Sequence, residues 1–143
     1  MAPKAQVYFH HTTALAFNGS INLGADTLKL ALTNVAPVAT NTQLGQLTQI
    51  SAGGGYTTGG FTLVVSSSAQ SSGLYRCLID DYTFTPGGTV ANFQWAVVYD
   101  DTVANDPPLW YYDYGSAVTL TTGVPFVFDF DGTLGAVRVP YPV

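Results

Sequence analysis

The segment from Val90 to Gly115 restricts the fold most strongly, because it reads as two aromatic strands joined by an acidic loop. The first strand, Phe93 to Tyr99, alternates large rings with smaller and mostly apolar residues, so both of its faces require cover. The returning strand, Leu109 to Tyr114, follows two prolines that stop earlier ladder pairing. A hairpin with two broad apolar faces is not stable alone in water. We therefore expect the first strand in the middle of a sheet that other segments cover.

The rest of the chain alternates short strand signals with turns. Leu28 to Leu32 alternates apolar and polar residues, which predicts a half-buried strand. Phe126, Phe128 and Phe130 share one parity and predict a strand side that faces the core. Further strands are predicted at Phe61–Val65, Leu74–Asp80, Tyr82–Thr85, Ala117–Leu120 and Val137–Val139, with a polar turn at Ser66–Gly73.

Helical signals are few. Thr12 to Asn18 predicts one short helix, with Thr12 or Thr13 as its N-cap and Gly19 as its left-handed end. Thr40 to Ile50 permits one or two helical turns or a loop. About eight short strands with little helix predict an all-β fold, an antiparallel β-sandwich of jelly-roll-like form.

The length of 143 residues predicts a single domain over residues 1–143, with a short N-terminal arm at 1–11 and a C-terminal tail at 132–143. The prolines of the tail exclude a central strand there. The five glycines between Gly53 and Gly60 permit close backbone approach, which suits a tight crossing. The single cysteine, Cys77, excludes an intrachain disulfide and is expected to be buried.

Charge is scarce in this chain. Charged residues make up 9% of the sequence, whereas about 25% is typical of globular domains. Surface with few charges costs less to desolvate against another protein, so the composition favours a subunit of an assembly. The net charge of −5 argues against nucleic-acid binding, which relies on basic side chains. No basic leader and no apolar run of roughly 18 to 20 residues is present, so we expect no membrane segment.

One motif matches a catalytic pattern. Asp129-Phe130-Asp131-Gly132-Thr133-Leu134 is similar to the nucleophile motif of haloacid-dehalogenase-type phosphatases. In that family the motif ends the first strand of a parallel α/β sheet, and a Ser or Thr, a Lys and further acids follow it. No Lys, Ser or acid follows here, so we interpret Asp131-Gly132 as a turn that closes a strand.

Other polar clusters also lack the pattern of a chemical site. Asp100, Asp101 and Asp106 are able to supply oxygens to a cation such as calcium, yet they lack EF-hand spacing, and a solvated loop is expected. Neither a glycosidase carboxylate pair nor a phosphate-binding glycine loop is indicated. The adjacent His10 and His11 face opposite sides of an extended chain, so they do not form a metal site by themselves. We therefore predict no catalytic residue, no cofactor, no metal ion and no enzymatic activity.

Four stretches carry a family resemblance: Leu28–Leu32, Gly55–Leu63, Trp95–Asp100 and Pro108–Gly115. On these stretches the chain resembles the small cement or head-decoration proteins of tailed bacteriophages. The resemblance implies a β-sandwich subunit on the outer capsid surface of the virion, made in the host cytoplasm, which bridges neighbouring major capsid subunits. Its implied partners are the major capsid protein and further copies of itself, as a dimer or trimer.

A cement subunit needs docking surfaces instead of an active site, and exposed aromatic residues are the candidates. The predicted contact residues are Val7, Tyr8, Phe9 and His10 in the arm, Trp110 and Tyr111 in the second aromatic strand, and Tyr141 in the tail. Two alternatives stay open. One is a structural protein of the phage tail or head-tail junction, and the other is a carbohydrate-binding or receptor-binding module in which Trp110, Tyr111 and Tyr112 stack on sugar rings.

Overall fold

The computed structural model describes residues 3–133 and 135–140, and this part of the chain forms antiparallel sheets with one short helix. The all-β, sandwich-like fold predicted from the sequence is confirmed. The elements are β1 (Ala5–Tyr8), α1 (Thr12–Phe17), β2 (Leu28–Thr33), a 3-10 turn (Leu44–Gln46), β3 (Phe61–Thr62), β4 (Val65–Ser71), β5 (Leu74–Ile79), β6 (Tyr82–Phe84), β7 (Phe93–Asp100), β8 (Pro108–Val118), β9 (Phe126–Phe128) and β10 (Val137–Pro140).

The main sheet has five strands in the order β1-β8-β7-β2-β3, which places β7 at its centre as expected. On one side of β7, Ala96 and Val98 belong to the hydrophobic core. On the other side Val97 is fully buried, and the hydroxyl of Tyr99 donates to the Gly59 carbonyl at 2.7 Å. Both faces of the strand are therefore covered.

Strand β2 differs from its prediction. Leu28, Leu30 and Leu32 face the core, but Ala31 on the opposite side is also buried and Lys29 is half-buried. Strand β2 pairs with β7 on one edge and with β3 on the other, and the glycine-rich segment lies over its second face, where Gly60 approaches Ala31 and Gly59 approaches Lys29. An amphipathic pattern therefore belongs here to a strand covered on both faces.

Two smaller sheets complete the core against the main sheet: β10-β5-β4 and β6-β9. The ring of Phe128 lies 5.9 Å from Phe61 and 5.8 Å from Phe93, measured between ring centroids. Phe128 and Phe130 are buried, which confirms the predicted core side of that strand. Cys77 on β5 is also buried as expected, and burial raises the pKa of its thiol to about 11.

The segment Ser66–Gly73 is not a turn. Residues 65–71 form β4, and only Ser72 and Gly73 turn the chain, both with positive φ. The polar run predicts a loop, but backbone pairing with β5 needs no apolar side chains on the exposed strand. The strand predicted at Ala117–Leu120 is likewise the end of a longer β8, which runs through Gly115 at φ +81°.

The N-terminal arm is an edge strand of this chain's own main sheet. Strand β1 pairs with β8, with Gln6 opposite Tyr112 and Tyr8 opposite Trp110. Residues 5–8 are therefore part of this chain's own sheet and do not form a free arm. At the other end of the chain β10 is an edge strand paired with β5, as the prolines required.

The predicted helix is present over Thr12–Phe17, but its predicted cap is not. His11 occupies the N-cap position, and no side chain caps the first turn. The Thr12 hydroxyl instead donates to the Leu109 carbonyl at 2.5 Å, which ties the helix to β8. Gly19 follows with φ +79°, as expected for the left-handed end of a helix.

The glycine-rich segment brings two backbones into close contact, as predicted. Gly60 has φ +76°, and a Cβ atom added there would lie 1.8 Å from the Leu30 carbonyl oxygen. Nearby, the Tyr56 hydroxyl accepts a hydrogen bond from Leu32 N and donates to Gln49 Oε1, both at 3.0 Å. The crossing is therefore fixed by a glycine that cannot be replaced without moving β2.

We expect Gly60→Ala to destabilise the fold by more than about 3 kcal/mol, because it combines a strained φ with a backbone clash. The matched control is Gly123→Ala, since Gly123 has φ +78° but nothing within 4 Å of the added Cβ. The control should lose only about 1 to 2 kcal/mol. Urea unfolding of both variants measures the difference, and equal losses would mean that the close contact with Leu30 contributes nothing.

Candidate functional site: an apolar groove beside the helix

An apolar groove separates α1 and the loop after it from the β10-β5-β4 sheet. It consists of two adjoining cavities with volumes of about 510 and 300 Å³. The residues that line both cavities are Ala16, Phe17, Ile21, Leu23, Val137 and Val139. Tyr8 and Trp110 line one end, and Ser68 and Gln70 line the other. We call this surface the helix groove.

The helix places one apolar residue in the core and another in the groove. Leu15 packs against the hydrophobic core, whereas Phe17 is 78% exposed. Residues two positions apart on a helix lie on nearly opposite sides, so the anchoring of Leu15 turns Phe17 outward. The helix has six residues and is held by Thr12, and His11 Nε2 also lies 2.6 Å from the Pro108 carbonyl oxygen. The position of Phe17 is therefore set by the sheet beneath the helix.

Two polar side chains along the groove, Tyr8 and Ser68, are hydrogen-bonded within the chain, whereas the indole Nε1 of Trp110 is buried with no hydrogen-bond partner among the described residues. The Tyr8 hydroxyl donates to the Ala136 carbonyl at 3.1 Å, and burial raises the pKa of Tyr8 above its ordinary value. The hydroxyls of Ser68 and Tyr75 lie 2.8 Å apart. The residues lining the groove include no carboxylate, histidine or cysteine in the described part of the chain. Such a surface is suited to binding an apolar segment and offers no acid–base pair.

The predicted contact residues of the arm divide into exposed and buried ones. Tyr8 is 41% exposed, His10 is exposed and Val7 is half-buried, so these three are accessible. Phe9 is 1% exposed and Trp110 is 0% exposed. Both rings belong to the interior of this chain because β1 pairs with β8, and the prediction that they contact a partner is wrong.

The two remaining predicted contacts have different outcomes. Tyr111 is half-buried, and its ring meets the ring of Phe9 edge-on with centroids 5.5 Å apart. Tyr141 lies outside the described residues. A flat aromatic platform for sugar rings is not formed, because Trp110 and Tyr112 are buried and only Tyr111 is accessible. The structural basis that the sequence offered for carbohydrate binding is therefore missing.

Sequence reasoning missed Phe17, which is the most exposed of the large apolar residues described. The signal was available, since a short helix with Leu15 and Phe17 two positions apart cannot bury both on one side. Most residues of the groove were not identifiable beforehand. They come from α1 and the loop after it, from β4 and β5, and from β10, which are far apart in the sequence and meet only in the fold.

The acidic loop is only partly the solvated loop that was predicted. Asp101 is exposed, with Oδ2 3.9 Å from Lys29 Nζ, but Asp100 ends β7 and is 0% exposed. The expectation is therefore wrong for Asp100, because the strand continues one residue further than its pattern indicated. Within residues 3–133 and 135–140, no three His, Cys, Asp or Glu side chains come together as a metal site.

The phosphatase-like motif lies in a turn, as we interpreted it. Thr133 N donates to Asp131 Oδ1 at 2.8 Å, and the preceding β9 belongs to a two-stranded antiparallel sheet. The antiparallel sheet that precedes the motif here differs from the parallel sheet in which the phosphatase motif functions.

No family model, curated protein or solved structure matches this chain. In the described part of the chain, no helix has both the length and the apolar character needed to cross a membrane.

We expect Phe17→Ala to change the free energy of unfolding by less than about 0.5 kcal/mol, because the exposed ring makes little contact with the core. Leu15→Ala on the same helix should cost roughly 1 to 3 kcal/mol, since it removes a side chain packed against the core. Urea unfolding gives both values. A large loss in Phe17→Ala would show that the ring serves the fold and not an external partner.

Proposed function

We propose that this chain is a virion structural protein of the cement or decoration kind, which binds the outer surface of the major capsid shell and bridges neighbouring subunits. The observation that carries the proposal is the helix groove with its exposed Phe17, on a chain in which few residues are charged. The family resemblance supports the same role. The groove serves as the surface that meets the capsid protein.

The groove has the chemistry of a protein-binding surface. Contiguous exposed apolar surface in a small protein marks an interaction site more often than isolated apolar residues do. Phe17, Val139 and Tyr8 all lie on the groove with two-fifths or more of their surface exposed. Full burial of one such side chain contributes about 1.5 to 3 kcal/mol. A few of these contacts are enough for a weak specific interaction.

Weak contacts suffice for a subunit that is repeated on a shell. When several sites are linked, the second binding event is intramolecular, and the overall binding exceeds that of each contact. The scarcity of charge lowers the cost of removing water from the surface around the groove. A cement role therefore requires neither a catalytic group nor one very strong interface.

We expect Phe17→Asp to weaken association with capsid shells at least about tenfold, because a charge would be buried in an apolar contact. The control is Val124→Asp, since Val124 is 54% exposed and does not line the groove. Co-sedimentation of each purified variant with undecorated shells measures the binding. Absence of binding by the unaltered protein would overturn the proposal. Binding to isolated phage tails instead of shells would indicate that the protein belongs to the tail.

A further inference from the structure

A buried carboxyl group lies at the end of β7. Asp100 is 0% exposed, and its Oδ1 accepts hydrogen bonds from Thr102 N at 2.9 Å and Val103 N at 3.3 Å. Its Oδ2 is buried and receives no hydrogen bond from the described residues. A buried carboxylate oxygen without a donor is costly, so this atom requires a proton or a compensating group.

Asp100 pairs with Leu28 at the end of the main sheet, which brings it next to a second carboxyl two residues before Leu28 in the chain, that of Asp26. Asp26 is fixed in its turn, because its Oδ2 accepts a hydrogen bond from Asn22 N at 2.7 Å. Two further hydrogen bonds join the segments that carry the two acids. Thr27 N donates to Thr102 Oγ1, and Asp101 N donates to the Thr27 carbonyl, both at 2.8 Å. The two carboxyls are therefore held against each other by the surrounding backbone.

The charged neighbours do not neutralise the pair. Asp101 follows Asp100 directly, and the Lys29 ammonium on β2 lies 3.9 Å from Asp101 Oδ2. Asp106, at the far end of the same loop, adds a further negative charge. Among the described residues, Asp26 is the charged group that acts directly on Asp100. The surroundings therefore favour a proton between the two acids over two facing negative charges.

We propose that Asp26 and Asp100 share a single proton, and that this proton holds the turn at residues 22–27 against the loop at residues 100–106. With the proton bound, one carboxyl donates to the other and Asp100 Oδ2 is satisfied. Loss of the proton to solvent leaves two negative charges in contact and weakens the cross-links through Thr27. The shared proton makes the stability of this end of the main sheet depend on pH.

The direction of the pH dependence follows from the Asp100 carboxyl. Burial, and secondly the hydrogen bond and charge of Asp26, raise its pKa from 3.8 to about 6, while the two backbone N–H groups act in the opposite direction. The folded state thus holds this proton more tightly than the unfolded state. The stabilisation is fully present below a pH of about 4 and is lost as the pH rises through about 6.

The test compares melting temperatures at pH 3.5 and pH 7.5 for the unaltered chain and Asp100→Asn. Asparagine keeps the oxygen that accepts from Thr102 and Val103, and its amide donates to Asp26 without needing a proton. We expect Asp100→Asn to melt several degrees higher than the unaltered chain at pH 7.5, and to melt at nearly the same temperature at pH 3.5, where the Asp100 carboxyl is protonated in both the folded and the unfolded state. The matched control is Asp101→Asn, which should keep the pH dependence of the unaltered chain.

Carbon-13 NMR of the side-chain carboxyls gives a second readout that does not depend on stability. We expect Asp100 to titrate with a midpoint near 6. A midpoint below about 4.5, or an equal effect of Asp101→Asn on the melting curves, would overturn the shared proton. Repeating the titration with 10 mM calcium chloride separates a cation from a proton. If calcium removed the pH dependence of melting in the unaltered chain, the pair would be a cation site and the proposal would be wrong.

Discussion

The structure depends on covering both faces of the hairpin formed by β7 and β8. On the core side, Phe93 and Tyr114 pack against Phe126 of β9, with the ring of Phe93 5.6 Å from Tyr114 and 5.8 Å from Phe126, and Trp110 is also buried in the core. On the other side Val97 is buried as well. Aromatic residues remove large apolar areas from water, so the other elements are placed where they close these two faces. The edge strands β1 and β3 extend the sheet and complete it on either side.

The helix groove follows from this requirement. Helix α1 is hydrogen-bonded to β8 through Thr12 and packs against the core through Leu15. Strand β10 instead pairs with β5 at the edge of a different sheet. The two elements come close without closing on each other, and apolar side chains line the space that remains. A surface of this kind is stable in the isolated chain because Phe17 and Val139 are not needed by the core. They are consequently available to a partner, and this makes these exposed residues of the groove better contact candidates than Trp110, which lines one end of the groove but is buried.

The aromatic hairpin, the core side of β9 and the short helix were predictable because each depends on local periodicity and on nearby turn residues. Strand β4 was not predictable in the same way, since Ser and Gln carry no apolar pattern and only pairing with β5 makes them a strand. The arm illustrates a second limit. Its apolar residues indicated burial against something, but they could not tell an edge of the same sheet from a neighbouring subunit. Asp100 illustrates a third limit. Strand β7 ends one residue later than its pattern predicts, and this one residue decides whether the carboxylate is solvated or buried.

The sequence by itself determined that this is an all-β chain, built around a central aromatic strand and poor in charge, because alternation and composition act locally and do not depend on distant residues. The tertiary structure alone decided which aromatic rings are accessible and which carboxyls meet. Phe9 and Trp110 are buried by the pairing of β1 with β8, and Asp26 meets Asp100 across the ends of β2 and β7. These contacts join residues that are 74 to about 100 positions apart. Their outcome depends on strand order and register, which no local pattern specifies.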